Sequence, residues 1–264
     1  MVLFLLACAG PVETPLDTSW SLIWSDSFDG PAGTVPDPDV WVPDVGGDGW
    51  GNEQLEYDTD RPENASLDGS GRLVITAIAE SYEGNDYTSA RLTTKDTVSF
   101  GYGRYEADIQ LPAGQGLWPA FWLLGTEIDT VSWPDCGEVD IMEFKGEDPD
   151  TSYATVHGPG YSGAGGLTAD YSLREGTFAD GFHTFAVDLD PDSVAFWVDG
   201  ARVQVLHPGD LPPNTSWVFD NEWFMILNLA VGGFFVEEPE DPSVFPASML
   251  VDEVRVYERT QAQP

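Results

Sequence analysis

The sequence predicts an all-β fold, a single sandwich of jelly-roll type. Three observations lead there. From Trp20 onward, short strand-like segments recur with turn signals between them. The chain carries 28 glycines and 20 prolines, which suits many turns. No repeat and no internal linker breaks a span of roughly 240 residues, a length that one large β domain fills.

The elements follow in order. Residues 1–18 divide into an apolar start, Met-Val-Leu-Phe-Leu-Leu-Ala-Cys8, and a Pro-containing tether. The start resembles a lipoprotein signal with Leu5-Leu6-Ala7-Cys8 as its lipobox, so Cys8 is the expected lipidation site. It lacks the usual positive residue before the apolar run. Residues 19–260 are expected to form one domain. Its strands include Arg72–Ile78, Gly103–Ile109, Thr184–Leu189, Val194–Val198 and Met249–Tyr257. Asp199-Gly200 signals a hairpin into Ala201–Val205. Helix is confined to single turns, such as one near Gly209–Leu211.

One run departs from simple alternation: Gly137-Glu-Val-Asp-Ile-Met-Glu-Phe144. Strand side chains at i, i+2 and i+4 share a face, so Glu138 and Asp140 do. Glu143 sits five residues from Glu138 and should point away. A β-bulge near Ile141-Met142 would return it to the same face, and bulges are frequent beside active sites. Cα atoms on that face then stand roughly 13 Å apart. Glutamate side chains leaning together can close to about 5–5.5 Å, the separation of a retaining glycosidase. One carboxylate attacks the anomeric carbon, and the other protonates the leaving oxygen and later activates water. Asp140 between them would hold one by a hydrogen bond. Crowding raises the pKa of the proton donor. A solvated acidic strand is the alternative, and apolar Val139, Ile141 and Phe144 argue against it.

Composition narrows the partners. The net charge is −36, from 46 acidic and 10 basic residues, of which only Lys95 and Lys145 are lysines. Nucleic acid and anionic membrane surfaces are excluded as partners by that field. It would also repel sulfated or carboxylated polysaccharides, which leaves a neutral glycan. Excess surface acid is also common in proteins that work in high salt. With no spanning apolar stretch, contact with a membrane is expected only through a lipid on Cys8. An exported monomer, anchored to the cell envelope or released, is the expectation. Cys136 then has no disulfide partner and reads as a small buried filler rather than a catalytic thiol, which would want a nearby histidine.

The motifs together resemble glycoside hydrolase family 16, and within it the laminarinase-like endo-β-1,3-glucanases. They are Trp50-Gly-Asn-Glu-Gln-Leu-Glu-Tyr57, Tyr87–Arg91, Phe100–Glu106, Gly116–Trp122, Trp133–Glu143, Asn228–Gly233 and Val251–Tyr257, in the family's order over nearly the whole chain. Met142 before the last glutamate matches the bulged form of the laminarinase group. The resemblance implies a concanavalin-like jelly roll of two curved antiparallel sheets with a sugar cleft along the concave face.

By position, the resemblance makes Glu138 the nucleophile, Asp140 the assisting aspartate and Glu143 the acid/base. Trp118 and Trp122, at i and i+4 on one face, would offer flat apolar area to sugar C–H faces, with Trp133 as a third platform. Asn52, Glu53 and Arg91 match positions that bind sugar hydroxyls; Arg91 could equally pair with a cleft carboxylate. His157 would tune Glu143 or touch substrate, and Asn228 is a further contact. No cofactor is implied for catalysis. A structural calcium is implied on the convex side, through Ser27, Gly71 and Asp252, although Ser27 stands where the family often has an acid. The implied reaction is retaining endo-hydrolysis of β-1,3-glucan. A mixed-linkage β-1,3-1,4-glucanase, a transglycosylase and a non-catalytic glucan-binding protein share the fold and stay open.

Overall fold

The computed structural model describes residues 20–260, so Cys8 and the tether lie outside the described residues. Two sheets account for the fold, with only short 3₁₀ turns beside them. The seven-stranded sheet runs, edge to edge, through Leu167–Ser172, Thr151–His157, Glu138–Phe144, Leu117–Gly125, Trp223–Val231, Arg91–Thr93 and Val42–Asp44. The ten-stranded sheet has Gly103–Gln110 and Ala247–Arg259 at its centre, and Trp20–Asp26 pairs with the latter. Among the described residues, all strand pairs but one are antiparallel. The exception joins Glu56–Asp58 to Asn85–Ser89 in parallel, where the Asn85 amide also donates to the carbonyls of Gly47, Leu55 and Glu56.

Patterning explains which faces meet. In Gly103–Gln110, Tyr105, Ala107 and Ile109 are buried while Arg104, Glu106 and Asp108 point outward, the period-2 alternation of a sheet with one wet face. The outward row is tied into an ion-pair ladder. Arg104 Nη1 lies 2.9 Å from Asp188 Oδ1, and Arg255 Nη2 lies 2.7 Å from Asp108 Oδ2. Trp223–Val231, central in the other sheet, is buried at every position. One side of it packs in the main core through Met225, Leu227 and Leu229. The other side belongs to the layer beneath the cleft, where Ile226 clusters with Phe224, Leu124 and Cys136.

The predicted strands are present, with longer ends. Arg72–Ile78 extends as Leu73–Tyr82, and Met249–Tyr257 as Ala247–Arg259. Propensity marks the middle of a strand, whereas pairing with neighbours sets where it stops. The Asp199-Gly200 hairpin forms with φ of 50° and 74°, the left-handed pair that a tight two-residue turn demands. The expected helical turn is a 3₁₀ turn at Pro208–Asp210.

Candidate active site

The acidic run forms the strand Glu138–Phe144, third from one edge of the seven-stranded sheet. Its register slips against both neighbours: between Asp140 and Met142 against Leu117–Gly125, and between Asp140 and Glu143 against Thr151–His157. Ile141 and Met142 are consecutive, yet both pack in the main core. Two successive inward side chains are what the extra residue of a bulge permits. Glu143 is thereby turned to the side that carries Glu138 and Asp140, and all three carboxylates line one cleft.

Each glutamate is held by an indole. Trp133 Nε1 donates to Glu138 Oε2 at 2.6 Å, and Trp118 Nε1 donates to Glu143 Oε1 at 3.1 Å. Thr155 Oγ1 donates to the other oxygen of Glu143 at 3.3 Å. His157 stands directly opposite Glu138 across the strand pair. Its Nε2 is 3.2 Å from Asp140 Oδ2 and 3.8 Å from Glu138 Oε1. The histidine therefore flanks the Glu138 end of the acidic trio, although its charge also favours ionised Glu143. Its ring is packed tightly: a Cβ on Gly166 would sit 2.4 Å from His157 Cε1.

Burial dominates the proton equilibria. It pushes Glu138 up to about 8 and Glu143 up to about 7, and it raises Asp140 well above the usual carboxylate range. The charge on Asp140 is the second cause for Glu138, ahead of the opposing pull of His157 and Trp133. That second cause vanishes once Asp140 takes a proton. The three groups thus titrate as a set, and a proton on Asp140 eases the ionisation of Glu138, while burial still opposes it.

The tryptophans expected as platforms lie in the cleft, Trp118 and Trp122 on one strand face and Trp133 beyond Glu138. Trp122 Nε1 donates to Asn228 Oδ1 at 2.8 Å. Arg91 pairs with Asp44, Nε to Oδ2 at 3.0 Å, rather than with a catalytic carboxylate. Its guanidinium lies between two rings, 4.6 Å from the centroid of Trp50 and 4.8 Å from that of Trp122. Asn52 lines the cleft cavity, of about 480 Å³, whereas Glu53 is exposed on the following turn and is not among its lining residues.

Several contributors escape the sequence reading. Trp50 Nε1 donates to Asp58 Oδ2 at 2.8 Å, and Asp58 with Glu56 forms a buried acidic pair behind the Arg91 stack. Phe234 and Phe235 wall the cavity, as do Gly163 and Ala164; Phe234 is 70% exposed. Two aromatics directly after Gly232-Gly233 are a signal that could have flagged this wall. Cys136 is fully buried, and burial pushes its thiol up to about 11, which fits an inert filler.

The residues matched to calcium lie on the ten-stranded sheet and its turns. The Ser27 carbonyl and Asp29 Oδ1 both face Gly71, 3.5 and 3.6 Å from where its Cβ would stand. Asp252 is about half exposed, 3.6 Å from Arg72 Nε. The Ser27 carbonyl and the Asp29 carboxylate are oxygen donors of the kind a hard cation takes.

Similarity to known proteins points the same way. The chain is 42% identical over 247 residues to a beta-glucanase of Rhodothermus marinus, covering 90% of this chain and 85% of that one. It is 37% identical over 244 residues to a glucan endo-1,3-beta-glucosidase of Cryptopygus antarcticus, covering 85% and 86%. Among solved structures, it resembles the catalytic domain of an endo-1,3-beta-glucanase (laminarinase) from Thermotoga petrophila RKU-1. The TM-score is 0.87 at 44% identity, over 92% of this chain and all of that one. Residues 50–225 match the family of glycosyl hydrolases 16; with a bulged strand presenting its paired glutamates to an aromatic cleft, the chain belongs to glycosyl hydrolase family 16.

Proposed function

We infer that the protein is a retaining endo-hydrolase of β-1,3-glucan. The observation that carries this is the bulge that places Glu138 and Glu143 on one face, each held by a cleft tryptophan. Glu138 attacks the anomeric carbon to form a glycosyl-enzyme, while Glu143 protonates the departing oxygen. Glu143 then takes a proton from water, which releases the sugar with its configuration retained. Asp140 exchanges charge with Glu138, so the nucleophile is ionised when the aspartate is neutral. Cleft-lining residues span six neighbouring strands, from Thr168 to Arg91. Five steps of about 4.8 Å give roughly 24 Å, room for several sugar rings and hence for cutting within a chain.

The polysaccharide is a neutral glucan, supported by the −36 charge, which disfavours sulfated chains. A mixed-linkage β-1,3-1,4-glucanase and a transglycosylase are the alternative readings of the same site. The reading extends to a structural calcium at Ser27, Gly71 and Asp252, supported by the oxygens that gather at Gly71. Incubation with laminarin, lichenan, agarose and carrageenan tests the substrate. Laminarin should yield oligosaccharides, and cleavage of the galactans alone would overturn the reading. Sizing the products at high acceptor concentration separates transfer from hydrolysis.

A further inference from the structure

Three donor atoms converge at the nucleophile end of the cleft. His157 Nε2 is 3.2 Å from Asp140 Oδ2 and 3.8 Å from Glu138 Oε1, and the three residues each offer one donor atom within 4.8 Å of the others. Trp133 occupies Glu138 Oε2 and leaves Oε1 turned to the histidine. Asp140 Oδ2 is the telling atom. The residue is only 4% exposed, and this oxygen has no hydrogen-bond partner. A buried carboxylate oxygen that faces an imidazole nitrogen without a well-directed hydrogen bond to it is suited to share a cation with that nitrogen.

The spacing selects the class of ion. Zinc bonds of about 2.0–2.2 Å at tetrahedral angles put neighbouring ligand atoms roughly 3.3–3.6 Å apart. The 3.2 and 3.8 Å separations bracket that range. One imidazole with two carboxylates suits borderline transition ions, whereas calcium and magnesium demand larger all-oxygen shells. Three protein ligands also leave a fourth position open toward the cleft. The strongly negative chain draws cations toward its surface.

We propose that Glu138, Asp140 and His157 form a reversible site for a zinc-class divalent ion, which competes with the polysaccharide and holds the enzyme idle. An ion on Glu138 Oε1 occupies the lone pair that would attack the anomeric carbon. His157 Nδ1 is buried without a partner, so the imidazole lacks the outer anchor that strengthens resident metal centres. The ion is therefore an exchangeable inhibitor. Binding is independent of the reaction; only the inhibition rests on the glucanase reading.

Calorimetric titration of zinc chloride into the full chain tests this, at neutral pH with excess magnesium to mask diffuse surface carboxylates. One zinc per chain is expected, displaced by a saturating laminari-oligosaccharide. His157→Gln and Asp140→Asn should each weaken binding by more than ~10-fold. Circular dichroism verifies that each variant folds, and Glu138→Gln takes the place of one that does not. Zinc held equally tightly by the folded variants overturns the proposal. So does zinc that persists when the oligosaccharide is separately seen to bind. Laminarin hydrolysis without zinc reads the glucanase assignment alone, so failure of one is distinguishable from failure of the other.

Discussion

Burial of three neighbouring carboxylates makes the proposed catalytic residues a stability liability as well as a tool. Glu138 has its pKa raised from 4.5 to about 8, mainly by burial. A carboxylate raised on folding stabilises the native state fully below its unfolded value, and that contribution is lost as pH climbs through the folded value. Glu143 and Asp58, each raised to about 7 by burial, act in the same direction. The melting midpoint should therefore fall between about pH 4.5 and 8. Glu138→Gln should flatten the fall and melt above the parent chain at the alkaline end, while losing laminarin hydrolysis by several orders of magnitude. Equal slopes in the two proteins, or substantial remaining activity, would contradict this account. Residue identity was legible in the sequence here because three acids amid apolar neighbours have few other uses. The partner of His157 was not: which side chain it faces depends on cross-strand register, and that is set by the turn joining the strands.

At the level of the element, the bulge separates function from packing. Removing Met142 restores strict alternation and leaves the last glutamate at i+4 from Glu138, on the same face without a bulge. The shortened variant should keep its far-ultraviolet β signature and measurable hydrolysis, with a melting midpoint lowered by the loss of a core side chain. Complete loss of hydrolysis in a folded variant would contradict the account of the bulge as compensation for one extra residue. This element could be read from sequence because one extra residue between acids breaks a strict period of two. The Trp50–Arg91–Trp122 stack could not. It joins a short turn, a three-residue strand and a distant strand, and no local pattern links them. Trp50 also adopts a left-handed backbone, φ 51°, a strained state of order 1–3 kcal/mol that its surroundings must hold. The Asp58 hydrogen bond and the Arg91 stack supply that hold.

For the whole molecule, like charges are the largest opposing field. A net charge of −36 favours expansion, and the ion-pair ladder engages few of the acids. Screening should help: the melting midpoint should rise as sodium chloride approaches ~1 M, where the screening length falls to about 3 Å. A flat or falling midpoint would argue against charge repulsion as a limit on stability. Calcium should raise the midpoint beyond sodium chloride of equal ionic strength, and Asp252→Asn should lose that extra rise; the absence of any extra rise would sink the calcium assignment. The sandwich itself was legible because alternation recurs in strand after strand, whereas the order of strands in each sheet is a matter of long-range pairing. Cys136 offers a use for this architecture. With Cys8 replaced, it would be the sole thiol of the chain, sealed beneath the cleft two residues before Glu138 and unreactive while folded. Its labelling rate would then time the opening of the catalytic strand, a built-in clock for how often this part of the enzyme breathes.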